Sequence, residues 1–172
     1  MEALMKSIPT THDITIETAV ATYGQPLLRY CHLLLKDYHE AQDAVQTTFI
    51  KAFYGNTSQY PPDEISPILY KIAYNHAMDI LRGRRRFFNF LQKERPATSY
   101  YIEETLSEEI NSALSQLAPK DRGLIVNHLI EGMDYSQLSQ IYNAPEATLR
   151  KRYQRAKARF ANALRQEGVN YE

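Results

Sequence analysis

Apolar residues recur along most of this chain at intervals of three and four, which is the spacing of one face of an α-helix. The clearest stripe lies near the C-terminus and consists of Leu149, Tyr153, Ala156, Phe160 and Ala163. A shorter helix precedes it, with Leu138 and Ile141 on one side and with Asp134 and Gln137 placed to cap its first turn. No stretch alternates apolar and polar residues as a strand does, so the sequence predicts an all-α protein.

The turn between these two C-terminal helices has its own sequence signature. Asn143 tolerates the positive φ with which many helices end, and Pro145 suits the opening turn of the helix that follows. Two helices joined by a short turn of this kind make a helix-turn-helix, which we predict over residues 134–164.

Three further helices are predicted in the N-terminal half. The first starts at about Ile14 and includes the apolar run 27–37, and the second carries its apolar residues between Ala41 and Ala52. Residues 56–67 contain three prolines and predict a loop. The third helix follows this loop and ends in a cluster of arginines: Arg82, Arg84, Arg85 and Arg86.

Helical periodicity is lost over residues 88–104, where the chain also becomes acidic, and this indicates a linker. The periodicity then resumes in two short helices, whose predicted inward residues are Leu106, Ile110, Leu114, Leu117, Leu124, Ile125, Leu129 and Ile130. We therefore expect two small helical domains, residues 14–87 and 105–166, joined by a flexible linker over 88–104. The helix-turn-helix belongs to the second domain.

The distribution of charge along the chain is more informative about function than the net charge. The 20 basic and 20 acidic residues cancel, but residues 146–166 contain seven Lys or Arg against one acidic residue, a net charge of +6. Residues 68–95 carry +5, whereas residues 36–67 and 96–122 each carry −3. Two basic blocks separated by acidic ones predict two DNA-facing regions, one in each domain.

The second helix of the helix-turn-helix holds the more basic of these blocks. A cationic helix that follows a short helix and a turn can lie in the major groove of DNA, where Arg and Lys meet guanine acceptors or phosphates. A run of charge by itself also fits a solvated surface helix. The turn chemistry and the short preceding helix favour the DNA-binding interpretation.

Other kinds of chemistry find no support in the residue pattern. The five histidines lack the spacing of metal ligands, Cys31 has no second cysteine to pair with, and no Gly-rich phosphate loop is present. No apolar run approaches the roughly 20 residues of a membrane-spanning helix. We therefore expect no enzymatic activity, no cofactor, no metal and no membrane insertion of its own, and we predict a cytoplasmic protein.

Three segments, in the same order, resemble the RNA polymerase sigma factors of the sigma-70 family, in its extracytoplasmic-function (ECF) group. Residues 37–53, DYHEAQDAVQTTFIKAF, are similar to region 2.2, residues 68–86 to region 2.4 and residues 134–160 to region 4.2. The resemblance implies that the first domain binds the clamp helices of the polymerase β′ subunit and melts the promoter −10 element. It implies that the second domain binds the β flap and reads the −35 element. The implied partners are core RNA polymerase, promoter DNA and an anti-sigma factor.

The resemblance also implies roles for individual residues. Contact with the polymerase clamp falls on Asp43, Gln46, Thr47 and Ile50. The −10 DNA is met by residues of the third helix, with Tyr74 stacking on a base: Lys71, Tyr74, Asn75, Arg82, Arg84 and Arg85. The −35 element is met at the start of the last helix by Glu146, Ala147, Thr148, Arg150, Lys151 and Gln154. Residues 56–67 are implied to capture an extruded base of the non-template strand.

The alternative from a different class is a stand-alone helix-turn-helix regulator, whose N-terminal half binds another protein or a signal. Such a regulator binds its operator without polymerase and often as a dimer. A sigma factor binds duplex promoter DNA poorly alone and needs core polymerase to open a promoter. DNA binding in the absence of polymerase therefore separates the two hypotheses.

Overall fold

The computed structural model of the chain describes residues 14–54, 61–91 and 106–169, and all regular structure in these ranges is helical. The all-α prediction is confirmed. The elements of the described ranges are α1 (Ile16–Leu35), α2 (Tyr38–Phe53), α3 (Pro62–Leu91), α4 (Glu108–Ser115), α5 (Pro119–Ile125), a π-helical turn (Val126–Ile130), α6 (Tyr135–Tyr142) and α7 (Glu146–Gln166).

A corner of only two residues joins α1 to α2. Lys36 ends α1 in the left-handed conformation, with a φ of 53°, and its N–H donates to the His32 carbonyl. Asp37 then caps α2, because its carboxylate accepts a hydrogen bond of 2.9 Å from the Glu40 N–H. The short corner places α1 and α2 side by side, and the two helices pack closely together.

The predicted loop over residues 56–67 is wrong for its second half, since α3 begins at Pro62. Proline suits the first turn of a helix, but Pro67 lies further inside α3, where its missing N–H removes an intrahelical hydrogen bond. Ile65 and Leu69 are fully buried, and their packing outweighs this loss. At its other end, α3 continues through Leu91 into the predicted linker. Residues 55–60 and 92–105 lie outside the described residues.

A π-helical turn directly follows α5 and was not predicted. Its hydrogen bond runs from the Glu131 N–H to the Val126 carbonyl at 3.0 Å. The wider turn rotates the side chains relative to an α-helix. Leu129, which the sequence predicted to point inward, is therefore 51% exposed, whereas Asn127 is fully buried.

The predicted helix-turn-helix is confirmed by α6 and α7. Asp134 and Gln137 form the reciprocal capping box of α6, and Asn143 ends α6 with a φ of 48°. Every residue of the predicted apolar stripe is buried along α7: Leu149, Tyr153, Ala156, Phe160 and Ala163.

The two predicted domains are packed against each other in the structure, and their buried residues form one continuous hydrophobic core. The first domain (α1–α3) contributes α1 and α3 to the contact. α3 packs against α6, and α1 packs against α5 and α4. The second domain (α4–α7) therefore lies along the side of α1 and α3 that α2 leaves open.

Arg122 in α5 is a buried cation that bonds only to main-chain carbonyls among the described residues. Its guanidinium donates to the Leu114 and Leu117 carbonyls at 2.8 Å, at the end of α4. It also donates to the Leu33 carbonyl at 2.6 Å, at the end of α1. Burial lowers the pKa of Arg122 to about 10, so the side chain remains a cation at neutral pH. The negative ends of two helix dipoles stabilise it.

Candidate nucleic-acid and polymerase interfaces

The predicted −35 residues share the outward face at the start of α7. The apolar stripe of α7 faces the core, and this leaves the opposite side of the helix in solvent. All six predicted residues are exposed there: Glu146, Ala147, Thr148, Arg150, Lys151 and Gln154. The first two turns of α7 thus present a continuous polar and cationic surface, as base reading from a groove requires.

Arg150 is held in place by two neighbours. Its guanidinium carbon lies 4.4 Å from the centre of the Tyr135 ring, and its Nη2 lies 3.2 Å from Glu146 Oε2. Tyr135 is itself packed beside the His128 ring, with ring centres 4.6 Å apart. The sequence identified Arg150 but not Tyr135, because a cation–π contact between two helices leaves no local sequence pattern.

Asp121 of α5 ties two other arginines of α7 to the body of the second domain. Its carboxylate accepts hydrogen bonds of 2.9 Å from Arg152 Nε and from Arg159 Nη1. Arg155 and Lys157 lie on the exposed part of the helix. The basic surface of α7 therefore consists of arginines anchored by Asp121 and of cations that face solvent.

The predicted −10 residues on α3 fall into two groups: most are exposed, and the others contact neighbouring helices of the protein. Lys71, Asn75, Arg82 and Arg85 are exposed along one side of the helix. Arg82 forms an ion pair with Asp79, and this hydrogen bond lowers the pKa of the Asp79 carboxyl. These four residues form a polar strip that can follow a DNA backbone.

Arg84 and Tyr74 are placed differently from the rest of the predicted −10 set. Arg84 pairs with Glu40 of α2 and donates to the Leu35 carbonyl at 2.8 Å, so it links α3 to the α1–α2 corner. Tyr74 is only 8% exposed and packs against Tyr142 of α6. Burial raises the pKa of the Tyr74 hydroxyl. In this arrangement Tyr74 is not accessible to a base.

The predicted polymerase-binding residues lie on the outer side of α2. Asp43, Gln46 and Ile50 are exposed, and Thr47 is half-buried beside them. Ile50 is an apolar side chain with 57% of its surface in solvent. The four predicted residues therefore form one accessible surface on α2.

Two negative observations bear on other functions. In the described ranges, no helix is both long and apolar enough to cross a membrane. The same residues contain no group of His, Cys, Asp or Glu side chains that could hold a metal ion.

Comparison with known proteins gives the family. The model of sigma-70 region 2 matches residues 19–87, and the model of sigma-70 region 4 matches residues 107–160. The ECF RNA polymerase sigma factor SigM of Bacillus subtilis (strain 168) is 28% identical over 171 residues, which cover 92% of this chain and 100% of SigM. The chain belongs to the sigma-70 family of RNA polymerase sigma factors, in its extracytoplasmic-function group.

Its function follows from that membership. The protein is a sigma factor, which binds core RNA polymerase and directs promoter-specific initiation of transcription. The alternative of a stand-alone helix-turn-helix regulator is not favoured.

Two solved structures share the fold. One is the sigma factor RpoE in complex with the anti-sigma factor NepR from Bartonella quintana, with a TM-score of 0.75, 20% identity and coverage of 87% of this chain and 96% of that chain. The other is CnrH in complex with the cytosolic domain of CnrY, with a TM-score of 0.64, 22% identity and coverage of 88% of both chains. At this identity the likeness concerns the fold alone.

Proposed function

We propose that the first domain reads −10 DNA through the exposed strip on α3, and that the second domain reads −35 DNA through the first two turns of α7. One observation carries this proposal. Each segment that matches a sigma-70 model contains one basic helical stretch, residues 71–86 of α3 in the first and α7 in the second, and most of the cations in each stretch are exposed. The acidic segments between them are poor surfaces for a polyanion.

On α3, the proposed DNA contacts are Lys71, Asn75, Arg82 and Arg85. Lys and Arg at such positions hold phosphates, which fixes the register of the helix on DNA. We assign Tyr74 to base stacking only after the two domains separate, because α6 covers it here. Arg84 has a structural contact that the sequence did not reveal, so its contribution to DNA binding is the least supported of the set.

A matched pair of variants separates the roles of neighbouring arginines. Arg84→Leu is expected to lower the free energy of unfolding by about 1–3 kcal/mol, because it removes the guanidinium that pairs with Glu40 and donates to the Leu35 carbonyl. Arg85→Leu is expected to change stability by less than about 0.5 kcal/mol, since its side chain is exposed. Urea unfolding of both variants measures the difference.

Polymerase assembled with Arg84→Leu and polymerase assembled with Arg85→Leu are then compared for the salt dependence of promoter binding. Arg85→Leu is expected to lower the salt dependence of binding by about one phosphate contact. If Arg85→Leu unfolds earlier than wild type while its salt dependence stays the same, Arg85 is structural and its place in the −10 strip is wrong.

We assign contact with the polymerase clamp to the outer side of α2. Asp43→Arg is expected to weaken assembly with core polymerase by about tenfold, roughly 1.4 kcal/mol, because it reverses a charge on the proposed interface. Asp43 is exposed and lies off the buried side of α2, so its replacement leaves the fold intact. Titration of labelled protein with core polymerase measures the affinity.

Glu17 supplies a matched control for this experiment, because it is an exposed acidic residue on a different helix, α1. Glu17→Arg makes the same charge reversal and is expected to assemble like wild type. Equal losses in both variants would show that the change of net charge, and not a contact on α2, weakens assembly. A lower melting temperature for Asp43→Arg would show that Asp43 is structural.

We further propose that an anti-sigma factor binds this protein, that the protein acts in the cytoplasm, and that it has no enzymatic activity of its own. One structural neighbour supports the first statement, because it was solved as the sigma factor RpoE in complex with the anti-sigma factor NepR. A sigma factor acts on polymerase and DNA, and this supports both the cytoplasmic location and the lack of enzymatic activity. Affinity purification of the native protein tests for such a partner.

A further inference from the structure

Three aromatic rings of the second domain pack against one another next to Arg150. The centre of the His128 ring, in the π-helical turn, lies 4.6 Å from that of Tyr135 in α6 and 4.5 Å from that of Tyr153 in α7. The Tyr135 and Tyr153 rings meet edge-on with their centres 6.4 Å apart. We call His128, Tyr135 and Tyr153 the aromatic group. Each ring comes from a different element, and its position is fixed by contact with the other two.

Two rings of the aromatic group are themselves anchored to the domain. His128 Nδ1 lies 2.6 Å from the Met133 carbonyl oxygen, and since a carbonyl only accepts, the Nδ1–H donates this hydrogen bond. Tyr153 is 5% exposed and belongs to the buried stripe of α7. Tyr135 therefore packs against two rings that cannot easily move, and its own ring has little freedom to turn away.

Arg150 contacts the first residue of each helix in the helix-turn-helix. Its guanidinium carbon lies 4.4 Å from the centre of the Tyr135 ring, at the start of α6. Its Nη2 lies 3.2 Å from Oε2 of Glu146, at the start of α7. The side chains of this ion pair are 59% and 46% exposed, and such a pair stabilises little and is screened by salt. Tyr135 is therefore the neighbour that holds Arg150 at physiological ionic strength.

The contact with Tyr135 leaves Arg150 able to read a base. A cation over an aromatic ring is attracted by the ring face, and this attraction does not require any of its N–H donors. Arginine has five such donors, and the Nη2 donor is directed at Glu146. The remaining donors are available to a base edge. Because the ring already restricts the arginine, less side-chain entropy is lost when DNA binds.

We infer that Tyr135 is a positioning residue for −35 recognition, whose ring holds Arg150 in the conformation that reads a base. The inference rests on the proposed −35 role of Arg150. Tyr135 acts through Arg150 and not through a DNA contact of its own. The base preference of the recognition helix α7 thus depends on a residue of α6, and the rest of the aromatic group keeps that residue in place.

Tyr135→Leu and Tyr135→Phe form a matched pair for testing this inference in the full-length protein. Leucine keeps apolar bulk against His128 and Tyr153 but has no ring face, whereas phenylalanine keeps the ring face and lacks only the hydroxyl. Both changes are made in the wild-type chain and in Arg150→Ala. Polymerase assembled with each variant then selects from a −35 library at two salt concentrations.

Tyr135→Leu is expected to reduce the preference for the base that Arg150 reads by about threefold. The salt slope should not change, because Arg150 keeps its charge. Tyr135→Phe should select like wild type, and in the Arg150→Ala chain Tyr135→Leu should have no further effect.

Three results would overturn the inference. Equal losses in Tyr135→Phe and Tyr135→Leu would mean that the hydroxyl contacts DNA directly. A loss common to every −35 sequence would mean that Tyr135 only supports the fold. A loss of the same size in the Arg150→Ala chain would mean that Tyr135 does not act through Arg150.

A second set of variants tests the ring face without changing the shape of the side chain. Phenylalanines that carry increasing numbers of fluorine atoms are incorporated at position 135, because fluorine withdraws the negative charge of the ring face that attracts a cation. The base preference is expected to fall stepwise with the number of fluorine atoms. This set decides the matter even where Tyr135→Leu fails to fold, and an unchanged preference along the series would contradict the inference.

Failure of the proposed −35 role of Arg150 has a different signature. In that case Arg150→Ala alone leaves the base preference at every −35 position unchanged. If only the inference about Tyr135 is wrong, Arg150→Ala relaxes the preference at one position, whereas Tyr135→Leu leaves it as in wild type.

Discussion

Arg122→Leu is expected to lower the free energy of unfolding by about 3 kcal/mol or more, the largest stability effect that we predict for a single substitution. Arg122 is 4% exposed, and its guanidinium donates to carbonyls at the ends of α1 and α4. Leucine fills part of the space but removes the arginine donor from these carbonyls. Among the described residues, only the Leu114 carbonyl keeps a main-chain hydrogen bond, from the Leu117 N–H at 3.1 Å. For a chain of this size the melting temperature should fall by roughly 6–12 °C, which a thermal melt followed by circular dichroism measures.

Two controls show whether the hydrogen bonds are responsible. Arg122→Lys keeps the charge but not the planar fork of donors, so an intermediate loss is expected. Lys120→Leu removes an exposed cation from the same helix, and stability should change by less than about 0.5 kcal/mol. Replacement of a buried ion by an apolar residue can be neutral when its partners are also replaced. Here the carbonyls remain, so a fully stable Arg122→Leu variant would contradict the account.

The largest effect on promoter recognition is expected from Arg150→Ala. If Arg150 makes a bidentate base contact, its loss should cost about 1–3 kcal/mol at the preferred −35 sequence and relax the preference at that position. Tyr135 and Glu146 already hold the guanidinium in the free protein, so little ordering is needed when DNA binds. Selection from a −35 library by polymerase assembled with each variant measures the change.

Lys157→Ala supplies the contrast on the same helix. Lys157 is exposed further along α7. We expect the helix to leave the groove there and Lys157 to hold a phosphate. Its loss should weaken all promoters alike and lower the salt slope by about one contact. If Arg150→Ala also weakens every −35 sequence by one common factor, then Arg150 only positions the helix. The reading of bases must then pass to Glu146, Thr148, Lys151 or Gln154.

Local sequence patterns predicted the elements that depend on local chemistry. The capping box joins Asp134 to Gln137, three residues away, and Asn143 ends the same helix in the left-handed conformation. The buried stripe of α7 repeats at helical spacing, so it too can be read from neighbouring positions in the sequence. The start of α3 was missed because proline-rich segments read as loops. The helix forms there because Ile65 and Leu69 are buried in the core, a tertiary effect that the local sequence does not show.

Contacts between distant segments could not be predicted in the same way. Arg84 resembles its exposed neighbours in the arginine cluster, and only the position of Glu40 and of the end of α1 gives it a structural role. Tyr74 stands at a position where the family resemblance implies a base contact, and its burial depends on Tyr142, far along the chain. The candidate residues could therefore be named from the sequence, but their accessibility could not.

Transcription reconstituted with purified core RNA polymerase tests the central claim most directly. Core polymerase and a library of promoter fragments are incubated with and without the protein, and the transcripts are sequenced. We predict start sites only when the protein is present, from fragments that share a −10 and a −35 sequence, and no selection of duplex DNA by the protein alone. Selection of one duplex sequence without polymerase, together with no transcripts in its presence, would contradict the assignment as a sigma factor.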